Sequence, residues 1–394
     1  MQRKIIVLII IAIIIFSFLF LYPISGKIYS RSYLSSEKNL NAKWLELAKI
    51  AWNYFQLGVG VDPITGLHYG TTNWHYATDW DVGVYIQALI DAAKLGLLPY
   101  DGDQGFDFRV KKVLEWLNTR KLTNESIPFL VYNSENGLPA IEAKEKTAHP
   151  SDCGKLLLAL YNLKNFRPSF ELLINRIIDR HNFSKLATSQ YFASNDIYAW
   201  YSAQGYLKWN IKVPFLREIQ NLGNGKYIEI YGESIPQAWI TSEPLINAIL
   251  ELEPNELSIC LELTRKVYLI QERRYFSTGL LTAFSEASYI APYYYVYQWI
   301  ATPDGKTWSV YSNGQQIKGV PLIVTRIAFA FHSIYNTSYT NLLIEYLLPK
   351  TITNFGFYEG VTEDGRIIPI LSDKSNGVII GATRYYLEKI YIMH

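Results

Sequence analysis

The sequence predicts an all-α fold: an (α/α)6 toroid of six helical hairpins with small β-rich insertions, preceded by one N-terminal transmembrane helix. Three observations predict it. Twelve apolar stretches at helical spacing follow the N-terminus, stretches with a charged face alternate with nearly uncharged ones, and every second stretch begins beside an acidic, aromatic loop. Trp80-Asp81, leading into Val82 to Leu97, is the clearest case.

The N-terminus comes first. Arg3 and Lys4 precede an apolar run from Ile5 to Leu21, which at about 1.5 Å per residue just spans a bilayer core. Ser25-Gly26-Lys27 is a poor cleavage site for a secretory signal. The expectation is therefore an uncleaved signal anchor over residues 1–26, with a removed signal peptide as the alternative. Basic residues before the span favour a cytoplasmic N-terminus, although Lys27 and Arg31 after it weaken that bias. Residues 27–40 are read as a linker and residues 41–394 as one domain outside the cell, tethered to the cell membrane by a single pass.

Within that domain the odd-numbered stretches keep one charged face. They run from Asn41 to Gln56, Gln104 to Arg120, Pro168 to His181, Val213 to Leu222, Asn255 to Arg274 and Tyr339 to Leu348. Arg109, Lys111, Lys112 and Glu115 illustrate the solvated side, so these are expected as outer helices. The even-numbered stretches are rich in Ala, Gly, Leu, Ile and Tyr: Trp80 to Leu97, Ser151 to Leu163, Asn195 to Trp209, Thr241 to Leu252, Val320 to Tyr335 and Asn376 to Tyr391. Few charges mean burial on several sides, hence an inner ring. A hairpin of this kind cannot bury its apolar face alone and needs its neighbours. Short β-rich insertions are expected at Lys226 to Ile230 and at Tyr293 to Tyr311, where Pro303-Asp304-Gly305 marks a turn. No Ser/Pro/Gly-rich tract separates the stretches, and 394 residues at 49% apolar composition can fill one large core.

Composition excludes several functions. A net charge of +2 with dispersed Lys and Arg gives no basic stripe for nucleic acid. Cys153 and Cys260 are the only cysteines, so no disulfide framework supports the fold; both are expected as buried thiols, with a single bridge between them as the alternative. The six histidines are too scattered for a zinc site. Asp101-Gly102-Asp103-Gln104-Gly105 lacks the distal acid of a calcium loop, and Gly58-Val59-Gly60 lacks the third glycine of a dinucleotide site. No metal and no cofactor is expected. Asn124-Glu125-Ser126, Asn182-Phe183-Ser184 and Asn336-Thr337-Ser338 have the form of glycosylation acceptors, in keeping with export.

The aromatic content points to a partner. With 31 Tyr, 18 Phe and 10 Trp, many in loops, the chain has more flat amphipathic side chains than a core needs. Such rings stack on the apolar faces of sugars, which makes an oligo- or polysaccharide the expected ligand. Trp74, Trp80, Tyr293, Tyr294, Tyr295, Trp299 and Trp308 are the candidate platforms.

Several short motifs occur in a fixed order: Trp80-Asp81-Val82-Gly83 with Ala92-Ala93-Lys94-Leu95-Gly96, then Ser151-Asp152-Cys153-Gly154, then Ser285-Glu286 with Pro292 to Tyr297 and Gly305 to Trp308, then Gly356 to Gly360. In this order they resemble the domain-of-unknown-function family 3131, from about Trp44 to the C-terminus. That family is similar to six-hairpin glycosidases and glycoamylase-like proteins and is usually exported or membrane-attached. Near the last inner helix, where the family pattern reads Asn-Thr-Asn and then Leu-Glu, this chain has Lys374-Ser375-Asn376 and Ile380-Gly381. A carboxylate is lost and a lysine gained. Asn376 keeps the second Asn and is taken with the site.

Glycoside hydrolysis needs one protonated and one ionised carboxyl across the scissile bond. Asp81, Asp152, Asp196 and Glu243 fall at or near inner-helix N-termini, where capping is the simpler explanation, with Asp79 as the cap that would free Asp81. Glu286 and Glu359 lie in aromatic loops with no helix to cap. All six share one end of the predicted ring. The assignment is Glu286 as acid and Asp81 as base, with Asp152, Glu359, Trp74, Trp80, Tyr293 and Trp308 binding sugar. Two other functions fit the same residues: a non-catalytic glycan-binding or envelope protein on a degenerate scaffold, and a polysaccharide lyase using His149 or a Tyr as base.

Overall fold

The computed structural model describes residues 37–141 and 146–393. The chain divides into two units, Met1–Glu46 and Leu47–His394; of the first, residues 37–46 are described and are helical. The expected membrane span, Ile5 to Leu21, lies outside the described residues. The expected linker 27–40 is described only from residue 37, and from there it is already helix. Among the described residues no helix is long and apolar enough to cross a membrane.

The helices are α1 (Glu37–Trp52), α2 (Asp79–Lys94), α3 (Phe106–Thr119), α4 (Pro150–Phe166), α5 (Glu171–Arg180), the short α6 (Phe183–Ala187), α7 (Ile197–Lys208), α8 (Glu243–Glu251), α9 (Ser258–Thr278), α10 (Thr325–Tyr335), α11 (Ser338–Thr351) and α12 (Asp373–Met393). In the second unit α2, α4, α7, α8, α10 and α12 each pack on the next, and α12 packs back on α2, so the inner ring closes. These are the six uncharged stretches. In α2 every residue from Asp79 to Ala93 is buried, as a helix surrounded on all sides requires. Outer helices bury a stripe instead: α3 hides Phe106, Val110, Val113, Leu114 and Leu117 and leaves the opposite face to solvent.

Small residues set how closely the inner helices approach. A Cβ on Gly205 would stand 1.8 Å from the carbonyl oxygen of Gly154, and one on Gly154 would stand 2.2 Å from that of Ser202. The backbones of α4 and α7 therefore touch directly, which only glycine permits.

One outer helix is missing. Val213 to Leu222, expected as the fourth, forms an irregular segment and then a 3-10 turn over Ile219–Gly225. Pro214 stands at the start of the stretch and the left-handed Gly223 and Asn224 follow its end, and no regular helix forms between them. Tertiary hydrogen bonds take its place: Arg217 donates to the Ala193 carbonyl at 3.0 Å, and the Gly223 N–H donates to Asn195 Oδ1 at 3.1 Å.

Both expected β insertions form. Tyr227–Ile230 pairs with Glu233–Pro236, and Tyr295–Ala301 pairs with Thr307–Ser312 so that Tyr297 faces Tyr311 and Trp299 faces Ser309. A second four-stranded sheet was not expected. It joins Leu322–Val324, Ile352–Thr353, Gly356–Thr362 and Ile367–Leu371. Its first strand occupies the predicted start of the inner helix at Val320, which begins instead at Thr325. Its last strand runs into α12 and so delivers Lys374 to the ring.

Candidate active site

Four inner-helix N-termini meet at one cavity of about 1250 Å³. α2 contributes Thr78, Trp80 and Asp81, α4 His149, Ser151 and Asp152, α7 Asp196 and α12 Lys374. The β insertion closes one side with Glu286, Tyr295, Tyr297, Trp299 and Tyr311. Helix N-termini carry partial positive charge, which is why carboxyl groups gather at this end.

Asp81 is fixed on both oxygens. Thr78 caps α2, with its hydroxyl oxygen accepting the Asp81 N–H at 3.3 Å, while Asp81 Oδ2 accepts the Thr78 N–H at 2.8 Å and its hydroxyl at 2.9 Å. Lys374 Nζ donates to Asp81 Oδ1 at 2.5 Å. Burial raises this carboxyl, but the ammonium and the hydrogen bonds outweigh it and hold Asp81 below its ordinary 3.8. The expected cap, Asp79, does other work: it is fully buried in an ion pair with Arg120 and accepts from Cys153 Sγ at 3.3 Å.

The other cleft carboxyls shift the opposite way. Burial, then the charges of Asp81 and Asp79, push Asp152 up to about 8. Burial and the Glu243 carboxylate push Glu286 up to about 7, against the opposing pull of Lys374 and Tyr295. Burial pushes Asp196 up to about 7, although Asp196 caps α7 by accepting the Tyr198 N–H at 2.9 Å. The cleft thus combines one ionised carboxylate with carboxyls that keep their protons near neutral pH.

Behind this layer lies Arg326, fully buried. It donates to Glu243 Oε2 at 2.5 Å, to Glu359 Oε2 at 3.0 Å and to the Glu286 carbonyl at 2.5 Å. Glu359, expected to bind sugar, is not among the residues lining the cavity. Its remaining capacity goes to Ser372, to Ser375 at 3.0 Å and to the Ser288 N–H at 3.2 Å. A buried guanidinium must be balanced by carboxylates, and Glu243 and Glu359 serve that need.

The aromatic candidates divide. Trp74, Trp80, Tyr294, Tyr295 and Trp299 line the cavity, whereas Tyr293 and Trp308 do not. Strand alternation explains Trp308: Tyr311 and its neighbours opposite, Tyr297 and Trp299, face the cleft, so position 308 points the other way. There it packs on the Arg274 guanidinium at 4.7 Å and edge-on to Phe284. Asn376 is also outside the cavity; its amide accepts the Phe357 N–H at 2.8 Å and donates to the Ser372 carbonyl at 2.8 Å. Tyr191, Tyr198, Trp239, Tyr297 and Tyr311 line the cleft without having been singled out; for the strand residues, period-2 alternation was the available signal. Asn124, Asn182 and Asn336 are exposed, and Cys153 and Cys260 are buried free thiols.

A closed ring of helical hairpins with a carboxyl-lined, aromatic cleft at its N-terminal end defines the class of protein. The chain belongs to the family described as "Protein of unknown function (DUF3131)", whose pattern matches residues 46–388. Its fold is similar to that of an endo-β-1,2-glucanase from Chitinophaga pinensis, solved with sophorotriose and glucose: TM-score 0.60 at 11% identity, covering 88% of this chain and 93% of that one. An endo-β-1,2-glucanase from Talaromyces funiculosus, solved with sophorose, gives 0.62 at 12% identity over 93% of this chain and 90% of its own. The glucoamylase of Hormoconis resinae gives 0.51 at 12% identity over 89% and 74%. No curated protein matches the chain in sequence.

Proposed function

We propose that the chain is a glycoside hydrolase acting on a glucan or an envelope polysaccharide, held at the outer side of a cell membrane by Ile5 to Leu21. The observation that carries the reading is the split in protonation within one aromatic cleft: Asp81 is held ionised, while Glu286 is pushed up to about 7. Glu286 donates its proton to the leaving glycosidic oxygen as the bond from the anomeric carbon breaks. Water attacks that carbon and gives its proton to Asp81. Asp152, protonated, donates a hydrogen bond to a sugar hydroxyl, and Trp74 and Trp80 offer ring faces.

The test is turnover of β-1,2-glucan and a panel of other α- and β-glucans by the full chain, compared with Glu286→Gln and Asp81→Asn. Undiminished turnover in both variants rejects the assignment. Fractionation tests the anchor: mature protein free in the medium and beginning near Lys27 rules it out.

A second reading, a glycan-binding protein without turnover, is favoured by one contact. Lys374 Nζ occupies the Asp81 oxygen that would receive the proton from water. Binding of a glycan that the unmodified chain never cleaves would select this reading.

A further inference from the structure

The most exposed aromatic side chain among the described residues stands at the mouth of the cleft. Tyr294 is 71% exposed and lines the cavity. Its backbone is left-handed, with φ 57°, a conformation that glycine adopts freely and a bulky L-residue adopts only under strain. The strained residue closes the loop Tyr289 to Tyr294: the Tyr289 N–H donates to the Tyr294 carbonyl at 2.7 Å, and the Tyr294 N–H donates to that of Ile290 at 3.2 Å. Packing does not explain the strain. The Tyr295 and Tyr297 rings meet at 5.4 Å and Tyr293 packs on the apolar core, whereas the Tyr294 ring does neither. What the left-handed residue achieves is a break in alternation. Successive residues of a strand point to opposite faces, yet Tyr294 and Tyr295, at the start of Tyr295–Ala301, both line the cavity. The same hairpin carries Glu286. Ala287 pairs with Val296 and Ser288 with Tyr295, and a hydrogen bond from the Tyr295 side chain acts on the Glu286 carboxyl. Three strand positions separate Tyr294 from the level of Glu286, a backbone span of about 10 Å.

A solvated ring held by strain at the mouth of a cleft has a face to offer a ligand. The C–H face of a pyranose fits it, and stacking there depends on the ring rather than on the linkage. Charge narrows the glycan. Lys374 is the one lysine or arginine lining the cavity and is committed to Asp81, so no further cation meets the carboxylate of a uronate or a sulfated sugar. The side of the bond follows from the hairpin: an acid contacts the leaving oxygen, and the mouth ring that continues the acid's own hairpin lies toward the departing part of the chain. We propose that Tyr294 is a platform at the cleft mouth for one pyranose ring of a neutral glycan chain, on the leaving-group side of the bond that Glu286 assists. The preferred substrate is then a chain whose sugars extend to the mouth, rather than a glycoside with a small leaving group. This deepens the hydrolase reading and rests on it.

The probes are linear disaccharides and hexasaccharides of β-1,2-, β-1,3-, β-1,4- and α-1,4-linked glucose, titrated by calorimetry into the full chain, Tyr294→Gly and Tyr294→Phe. Glycine takes the left-handed backbone without strain, so Tyr294→Gly should unfold at the same denaturant concentration as the parent or a higher one. It is expected to bind the hexasaccharide roughly three- to tenfold more weakly, the scale of one aromatic face contact, and to lose less on the disaccharide. Tyr294→Phe keeps the ring and should restore most of the affinity. The leaving-group side is read from a cleaved hexasaccharide labelled at its reducing end, where Tyr294→Gly should shorten the labelled products. Binding of none of the hexasaccharides, binding indifferent to Tyr294→Gly, an equal loss in Tyr294→Phe, or a Gly variant less stable than the parent overturns the proposal; unchanged labelled products overturn the leaving-group side. The outcomes separate the two readings. Cleavage indifferent to Tyr294→Gly leaves the hydrolase standing and removes the platform, whereas ring-dependent binding without cleavage keeps the platform and removes the hydrolase together with the leaving-group side.

Discussion

Lys374 Nζ lies 2.5 Å from Asp81 Oδ1, joining the start of the last inner helix to the start of the first. The pair defines the electrostatics of the cleft, because the same ammonium also draws down Asp152 and Glu286. Removing it in Lys374→Met leaves Asp81 with burial as its dominant influence, so the Asp81 carboxyl must rise. Carboxyl-carbon NMR titration should show that rise, and Lys374→Arg should restore the lower value. In an active enzyme the acid limb of the pH profile moves to higher pH in the Met variant. An unmoved Asp81 titration contradicts the pairing.

Glu286 sets the other limb. Its carboxyl is pushed up to about 7 by burial and by Glu243, so the protonated form needed for leaving-group assistance is lost as pH rises through that value. Asp81, held below its ordinary 3.8, is ionised through neutral pH and is protonated only in acid, which sets the acid limb. Activity on a cleaved glucan should therefore be bell-shaped and fall above about pH 7. Glu286→Gln should lower turnover by roughly 10²- to 10⁴-fold while binding persists. A profile flat through pH 8 would exclude Glu286 as the acid.

Asp152 makes the fold sensitive to pH in a direction unusual for a carboxyl. Its folded value of about 8 stands above the ordinary 3.8, so the native state binds the proton that the unfolded chain has released. Stability is full below about pH 4 with respect to this group and declines as pH rises toward 8. Asp152→Asn removes the titration. Denaturant unfolding should show the variant gaining stability over the parent at pH 8 relative to pH 5, and equal differences at the two values would refute this.

The ring was legible because its cause is local. An inner helix surrounded by neighbours must lose its charges, and Asp79–Lys94 and Ile197–Lys208 announce this in composition. The fourth outer stretch failed for a tertiary reason: Arg217 and Gly223 bond to Ala193 and Asn195, 24 and 28 residues away, and no helical period encodes that. At the site, position along the chain identified Asp81, Asp152 and Glu286 as cleft residues. It could not separate Glu286 from Glu359. Both are carboxyls in aromatic loops, and only the buried Arg326, beside Glu359 in space but 33 residues away in sequence, makes one structural. Trp308 against Tyr311 was decidable from strand parity, given the register Tyr297 to Tyr311.

Arg326 gives the sharpest stability test. It is fully buried and donates to Glu243, Glu359, Ser375 and the Glu286 carbonyl. Replacing it by Met preserves much of the volume but strands two buried carboxylates, a change that costs about 3 to 5 kcal/mol when one partner of a buried pair is removed. The triple variant Arg326→Met, Glu243→Gln, Glu359→Gln removes the stranded charges with the guanidinium and should recover most of that loss. Chemical denaturation of the single and triple variants distinguishes the cases: a single variant as stable as the parent, or a triple variant no better than the single, contradicts the view that Glu243 and Glu359 are there to balance Arg326. Recovery of stability in the triple variant should still leave the floor under Glu286 altered, because the guanidinium that holds the Glu286 carbonyl at 2.5 Å is gone. Glycan turnover in that stable variant then measures what the buried layer contributes to positioning the acid.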